Sequence, residues 1–135
     1  MVYLTRKEHF NAAHRLFNPE WSDEQNMEVF GKCANKHYHG HNYNLFVTVK
    51  GEPQKETGLV INLKELSRLI NEHIVLKLDH KNLNVEVDFL EGVMTSTENL
   101  VKVIWEELQP HLTGCTLHCV KLYETENNYA EYFGE

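Results

Sequence analysis

The stretch His39-Gly40-His41-Asn42-Tyr43-Asn44-Leu45-Phe46-Val47-Thr48-Val49-Lys50 decides the fold. Its aromatic and β-branched residues read as a strand, and because side chains alternate across a pleated strand, His39 and His41 share one face. Gly40 between them leaves the opposite face open to a close backbone neighbour. Working outward, Tyr3 to Phe17 reads as a second strand, and within it the small residues of Phe10-Asn11-Ala12-Ala13-His14 let a neighbouring element approach. His14 then offers a third imidazole. Three neutral imidazoles with no protein group in a fourth position are the ligand set of a catalytic zinc. His37 shares the parity of His39 and His41, so spacing alone leaves open which of the three bind. His9, His73, His111 and His118 read as surface or packing histidines.

The remaining elements follow from periodicity and punctuation. Asn18 to Lys36, polar and carrying Pro19, reads as an ordered insertion in which Ser22-Asp23-Glu24-Gln25 opens a short helical turn. Gly51-Glu52-Pro53 through Gly58 takes the chain out of the sheet. Leu63, Leu66, Leu69, Ile70 and Ile74 form the apolar stripe of a helix capped by Asn62. Asp79 to Asn84 is too polar to continue it and reads as a loop. A second helix begins where Thr95 and Glu98 have capping-box spacing, runs through Leu100, Val101, Ile104, Trp105 and Leu108, and stops at Pro110. Thr116 to Glu124 is extended, Asn127-Asn128 supplies the positive φ of a tight turn, and Tyr129 to Phe133 returns as the last strand. The expected fold is therefore α+β in the order ββααββ, a four-stranded antiparallel sheet with two helices on one face.

Composition bounds the function. A chain of 135 residues is expected to form a single domain, 1–135, small enough that a deep site needs a neighbouring subunit to wall it. With 13 Lys and Arg against 20 Asp and Glu, the net charge of −7 argues against a nucleic-acid or membrane-surface partner, though a local basic pocket is allowed. No apolar run approaches the roughly 20 residues of a membrane span, and no signal-peptide pattern precedes Glu8 and His9. Three cysteines without a CxxC pair suit a reduced, cytoplasmic protein, Cys115 and Cys119 being small apolar residues.

Other residues carry chemistry by type. Lys32 beside Cys33 favours a thiolate able to act as a base, with an inert cysteine as the plainer alternative. Asp79-His80 is an acid/base couple, although adjacent side chains need not touch. Glu124, at the end of a strand, can accept paired N–H bonds from a guanidine-like heterocycle edge.

Six segments in order, Phe-Asn-Ala-Ala-His at 10–14, Gly-Lys-Cys at 31–33, His-Gly-His-Asn-Tyr at 39–43, Leu-Asp-His-Lys-Asn-Leu at 78–83, Ser-Thr-Glu-Asn at 96–99 and Tyr-Glu-Thr-Glu-Asn-Asn at 123–128, closely resemble the 6-pyruvoyl-tetrahydropterin synthase family. That resemblance implies the tunnelling fold, in which subunit sheets join into a β-barrel, and a homohexamer built from two trimers. It implies that His14, His39 and His41 hold Zn2+, that Cys33 is the general base with Asp79 and His80 as its partners from another subunit, and that Glu124 anchors the pterin with Ser96, Thr97 and Glu98 nearby. The implied reaction is that of a lyase in tetrahydrobiopterin biosynthesis, converting 7,8-dihydroneopterin triphosphate to 6-pyruvoyl-tetrahydropterin and triphosphate. Magnesium is allowed alongside the triphosphate, for which Arg15, Lys32, Lys36 and Lys81 are the available cations.

Three alternatives stand beside this reading. Relatives that make 6-carboxy-tetrahydropterin for deazapurine synthesis typically place three residues between the cysteine and HGH, and this chain has five, Ala34 to Tyr38, although Cys33 and His37 themselves have the shorter spacing. Cupin dioxygenases want a glutamate soon after the HxH pair, and Asn42 to Phe46 has none. A non-catalytic metal-binding module would leave Cys33, Asp79, His80 and Glu124 without purpose.

Overall fold

Two long strands, β1 (Val2–His14) and β2 (His39–Gly51), form the antiparallel ribbon on which the rest is built. The computed structural model describes all residues, Met1–Glu135. Along β2 the side chains of Tyr43, Leu45, Val47 and Val49 are buried while their neighbours are more open, as expected of a strand covered on one face. Thr116–Thr125 (β4) pairs antiparallel with β2, and Asn128–Tyr132 (β5) pairs antiparallel with β4.

The sheet differs from expectation at its other edge. Lys81–Asn82 (β3) joins β1 in parallel, giving a five-stranded mixed sheet of order β3-β1-β2-β4-β5 where four antiparallel strands were expected. The physical reason is backbone pairing. His80 N–H donates to the Asn11 carbonyl at 2.6 Å and Leu83 N–H to that of Ala13 at 2.8 Å. The Asn84 side chain then accepts from Arg15 N–H at 2.9 Å and donates to Arg15 C=O at 3.0 Å. Polar side chains conceal such pairing, because the partner of each amide lies some seventy residues away in the chain.

Three helices complete the fold: α1 (Asp23–Phe30), α2 (Leu63–Ile70) and α3 (Thr97–Leu108). Ser22 caps α1, accepting from Gln25 N–H at 3.1 Å, so the insertion holds a full short helix. It continues into a 3-10 turn, Gly31–Ala34, that carries Cys33. Asn62 caps α2 as expected, and Leu66, Leu69, Ile70 and Ile74 are buried, whereas Leu63 in the first turn is 43% exposed. A π-turn over Asn71–Val75 and a last turn, Leu76–Leu78, prolong α2. The cap of α3 is Ser96, whose hydroxyl accepts from Asn99 N–H at 3.3 Å; Thr95, the expected cap, is buried beneath it. Asn127 and Asn128 do not take positive φ. Their turn is closed by the Thr125 hydroxyl, which accepts from Asn127 N–H at 3.2 Å.

α2 packs on β1, and α3 on β4 and β5, so the core lies between the helices and one sheet face. Cys119 is buried on the other face of the sheet, in a cavity it shares with Thr5, Phe46, Thr48 and Glu131, and burial pushes its thiol up to about 11. His73 and His111 stack ring on ring at 3.5 Å, a packing pair. No helix is long and apolar enough to cross a membrane.

Candidate metal centre and adjoining cavity

His14 faces His39 across the β1–β2 ladder, and Ala12 faces His41. All three imidazoles lie on the helix-facing side, continuing the row of Phe10 and Tyr43 toward the end of the sheet. The β-parity that buries Tyr43 and Leu45 therefore also gathers the histidines. Their ring centroids are 4.6 to 5.1 Å apart, and one nitrogen from each lies within 4.8 Å of the others. The neighbour that Gly40 admits is the Ala12 carbonyl, 3.4 Å from where a Cβ would stand, which is an ordinary contact and not one that demands glycine.

Burial sets the chemistry of these rings. His14 is wholly buried, and its Nδ1 lies 2.9 Å from the Thr95 carbonyl. A carbonyl only accepts, so Nδ1 carries the proton and Nε2 keeps its lone pair. Burial holds the pKa of both His14 and His41 below the usual imidazole value, which keeps them neutral as ligands require. Nε2 of His14, both nitrogens of His39 and Nε2 of His41 are buried without any hydrogen-bond partner. Buried polar atoms are rarely left so, and the convergence of one such nitrogen from each of the three rings fits a bound metal ion. The donor set, three imidazoles, suits zinc.

Glu124, at the end of β4, stands beside the triad, its carboxylate oxygens 3.8 Å from Nε2 of His14 and of His41. That is beyond hydrogen-bond reach, and one oxygen is already engaged: the Thr97 hydroxyl donates to Oε2 at 2.9 Å. Ser96, Thr97, Glu98 and Glu124 share a cavity of about 350 Å³ closed by Leu16, Phe30 and Tyr129. The four expected substrate residues thus come together, with Thr97 acting on Glu124.

Cys33 is half-buried in its 3-10 turn, and its carbonyl accepts from Leu16 N–H at 2.7 Å, tying the turn to the exit of β1 two residues past His14. Asp79 and His80 do touch each other, Oδ2 to Nδ1 at 3.1 Å. Asp79 accepts from Asn11 N–H at 2.9 Å, the main cause of its carboxyl lying below the usual range. His80, at φ 61°, holds an 81% exposed side chain. No hydrogen bond or ion pair joins this couple to Cys33 or to the triad within the chain.

Three residues of the site escape sequence reading. Thr95 orients His14 through its backbone carbonyl, which no side-chain pattern signals. Asn11 brackets the acid/base couple with both backbone groups. Tyr43, fully buried with an unpartnered hydroxyl, stacks on Phe10 below the triad at 4.8 Å between rings. Burial, with the Glu124 charge, pushes its phenol far up, so the hydroxyl stays protonated.

A triad of neutral imidazoles flanked by a carboxylate-bearing cavity is an arrangement that comparison with known proteins can place. The sequence profile of 6-pyruvoyl tetrahydropterin synthase matches residues 3–135. The Homo sapiens protein named 6-pyruvoyl tetrahydrobiopterin synthase is 46% identical over 132 residues, covering 98% of this chain and 91% of its own. The Dictyostelium discoideum protein of that name is 46% identical over 134 residues, covering 99% and 97%. The solved structure of Caenorhabditis elegans 6-pyruvoyl tetrahydropterin synthase superposes with a TM-score of 0.93 at 34% identity, covering 99% of this chain and 96% of that one. With the profile spanning nearly every residue and the relatives agreeing along their full length, this chain belongs to the 6-pyruvoyl tetrahydropterin synthase family.

Proposed function

We propose that this protein converts 7,8-dihydroneopterin triphosphate to 6-pyruvoyl-tetrahydropterin and inorganic triphosphate, with zinc held by His14, His39 and His41. The observation that carries the reading is the convergence of unpartnered imidazole nitrogens beside Glu124, at the edge of a cavity of the right order for a pterin ring.

The residues divide the work by chemistry. Glu124 accepts the paired N–H groups of the pterin's guanidine-like edge, and Thr97, by occupying Oε2, fixes the plane in which the carboxylate presents itself. Ser96 and Glu98 wall the ring. The bound zinc would supply Lewis acidity toward the side-chain oxygens, making the neighbouring C–H bonds more acidic. Cys33, as thiolate, takes a proton from a hydroxyl-bearing side-chain carbon and returns it elsewhere. Asp79 orients the His80 imidazole for proton exchange. The sequence is redox-neutral: the electron pair lost from one carbinol carbon reduces the ring, and elimination of triphosphate from the terminal carbon leaves the second ketone and a methyl group. No nicotinamide is needed.

The separation of Asp79-His80 from the triad within one chain supports a site completed between subunits, in a hexamer of two trimers whose sheets close into a barrel. The five residues between Cys33 and His39 favour the pyruvoyl product over the carboxy-forming alternative. Incubation with dihydroneopterin triphosphate and mass identification of the products tests the proposal. The expected products are 6-pyruvoyl-tetrahydropterin and triphosphate; acetaldehyde with a carboxypterin would assign the alternative, and no turnover by zinc-loaded protein would refute both.

A further inference from the structure

The substrate proposed above ends in a polyanion, and the sequence leaves four cations open as its receptor. Their environments differ. Lys32 and Lys81 are exposed. Lys36 is exposed too, but it and half-buried Arg15 line one cavity of about 300 Å³ together with His37, Asn26, Asn35 and Asp23. Lys36 Nζ sits 2.8 Å from Asp23, the one carboxylate in that lining, so this acid is already neutralised.

Arg15 has no such partner. Its guanidinium lies 3.9 Å over the Phe17 ring, and its Nε is buried without a hydrogen bond. Its charge reaches Asp23 and helps hold that carboxyl low, but no carboxylate hydrogen-bonds it, and a half-buried guanidinium packed on an aromatic face with an unpartnered Nε is costly unless an anion completes it. The cavity draws its lining from segments that adjoin the metal ligands in the chain. Arg15 directly follows the imidazole of His14, and Ala34 to His37 are the residues that link Cys33 to His39. In a chain of net charge −7, a polyanion is repelled by the molecule as a whole and needs a local receptor of this kind.

We infer that Arg15, seconded by Lys36 and His37, is the receptor for the triphosphate chain of the substrate. The planar fork of Arg15 grips phosphate oxygens bidentately, and Lys36, its charge offset by Asp23, adds N–H donors at a fixed position. His37, outside the metal-ligand set despite its parity, acquires a role as a third donor. This assignment rests on the proposed substrate, but its test is separable from turnover.

Inorganic tripolyphosphate is titrated calorimetrically into zinc-loaded wild-type, Arg15→Gln and Lys36→Gln proteins. Binding of unphosphorylated 7,8-dihydroneopterin and zinc content are measured on the same samples. Loss of charge-assisted hydrogen bonds predicts that Arg15→Gln weakens tripolyphosphate about tenfold or more and raises the KM for the triphosphate substrate similarly, with Lys36→Gln a smaller step in the same direction. Dihydroneopterin affinity and zinc content stay at wild-type values. Unchanged tripolyphosphate binding in both variants overturns the assignment. So does an Arg15→Gln defect that extends equally to dihydroneopterin and zinc while Lys36→Gln, at an exposed position, behaves as wild type. Tripolyphosphate binding that depends on Arg15 in a protein making no pterin product would uphold this subsite and refute the proposed reaction. Product formation with unaltered KM in Arg15→Gln would do the reverse.

Discussion

Thr97 illustrates how a single side chain takes its meaning from a distant one. Its motif places it near the heterocycle, yet its hydroxyl donates to Glu124. Replacing it by valine, nearly isosteric, removes that bond and frees the carboxylate to rotate. Thr97→Val is expected to raise the substrate KM about tenfold, the worth of one charged hydrogen bond, with zinc content unchanged. Steady-state kinetics with metal analysis checks both halves; parallel loss of zinc would mean that Thr97 supports the triad instead. The histidines themselves were legible by parity and by the HGH resemblance. What fixes the tautomer of His14 was not, because a backbone carbonyl has no sequence signature. Burial depresses the pKa of His14 and His41 in the folded state, with the Glu124 charge opposing it more weakly. The folded chain thus binds fewer protons than the unfolded one near their titration. Stability of the metal-free protein should be greatest above about pH 6.5, the unfolded imidazole value, and fall as pH drops toward the folded values. Urea midpoints between pH 8 and 5 measure this, and a His41→Ala variant should show a shallower fall.

At the scale of elements, the two long strands and the apolar helices were readable, since each carries its own period. The start of α3 was readable only to within a residue. Thr95 and Ser96 are both good capping types, and burial of Thr95 beneath the helix, where its carbonyl meets His14, leaves Ser96 to cap. Ser96→Ala should therefore cost about 1 kcal/mol in chemical denaturation, the usual worth of a cap. Because Ser96 also lines the cavity beside Glu124, the proposed pterin site, the same variant should lose affinity for substrate while keeping its zinc. A variant of wild-type stability would place the cap elsewhere. β3 was illegible for a different reason: its pairing uses only backbone groups and an asparagine side chain that mimics them, so nothing in its composition distinguishes it from a loop.

At the scale of the whole molecule, the separation between Asp79-His80 and the triad is the fact with most consequence. The couple lies on the β3 edge of the sheet, fixed by Asn11, while Cys33 is tied to the exit of β1 and Glu124 ends β4. A proton relay cannot work across groups that do not meet, so either His80 is idle or a second copy brings it to Cys33. Co-expression of Cys33→Ala and His80→Ala chains decides between these. Each variant alone should be inactive. If the site is shared, a randomly mixed assembly has intact halves at about one interface in four, and should recover about a quarter of wild-type activity. If every group acts within its own chain, no mixture can recover any, because each subunit then carries one fatal change. An active His80→Ala protein would instead remove His80 from the mechanism and leave Cys33 to exchange its proton with solvent.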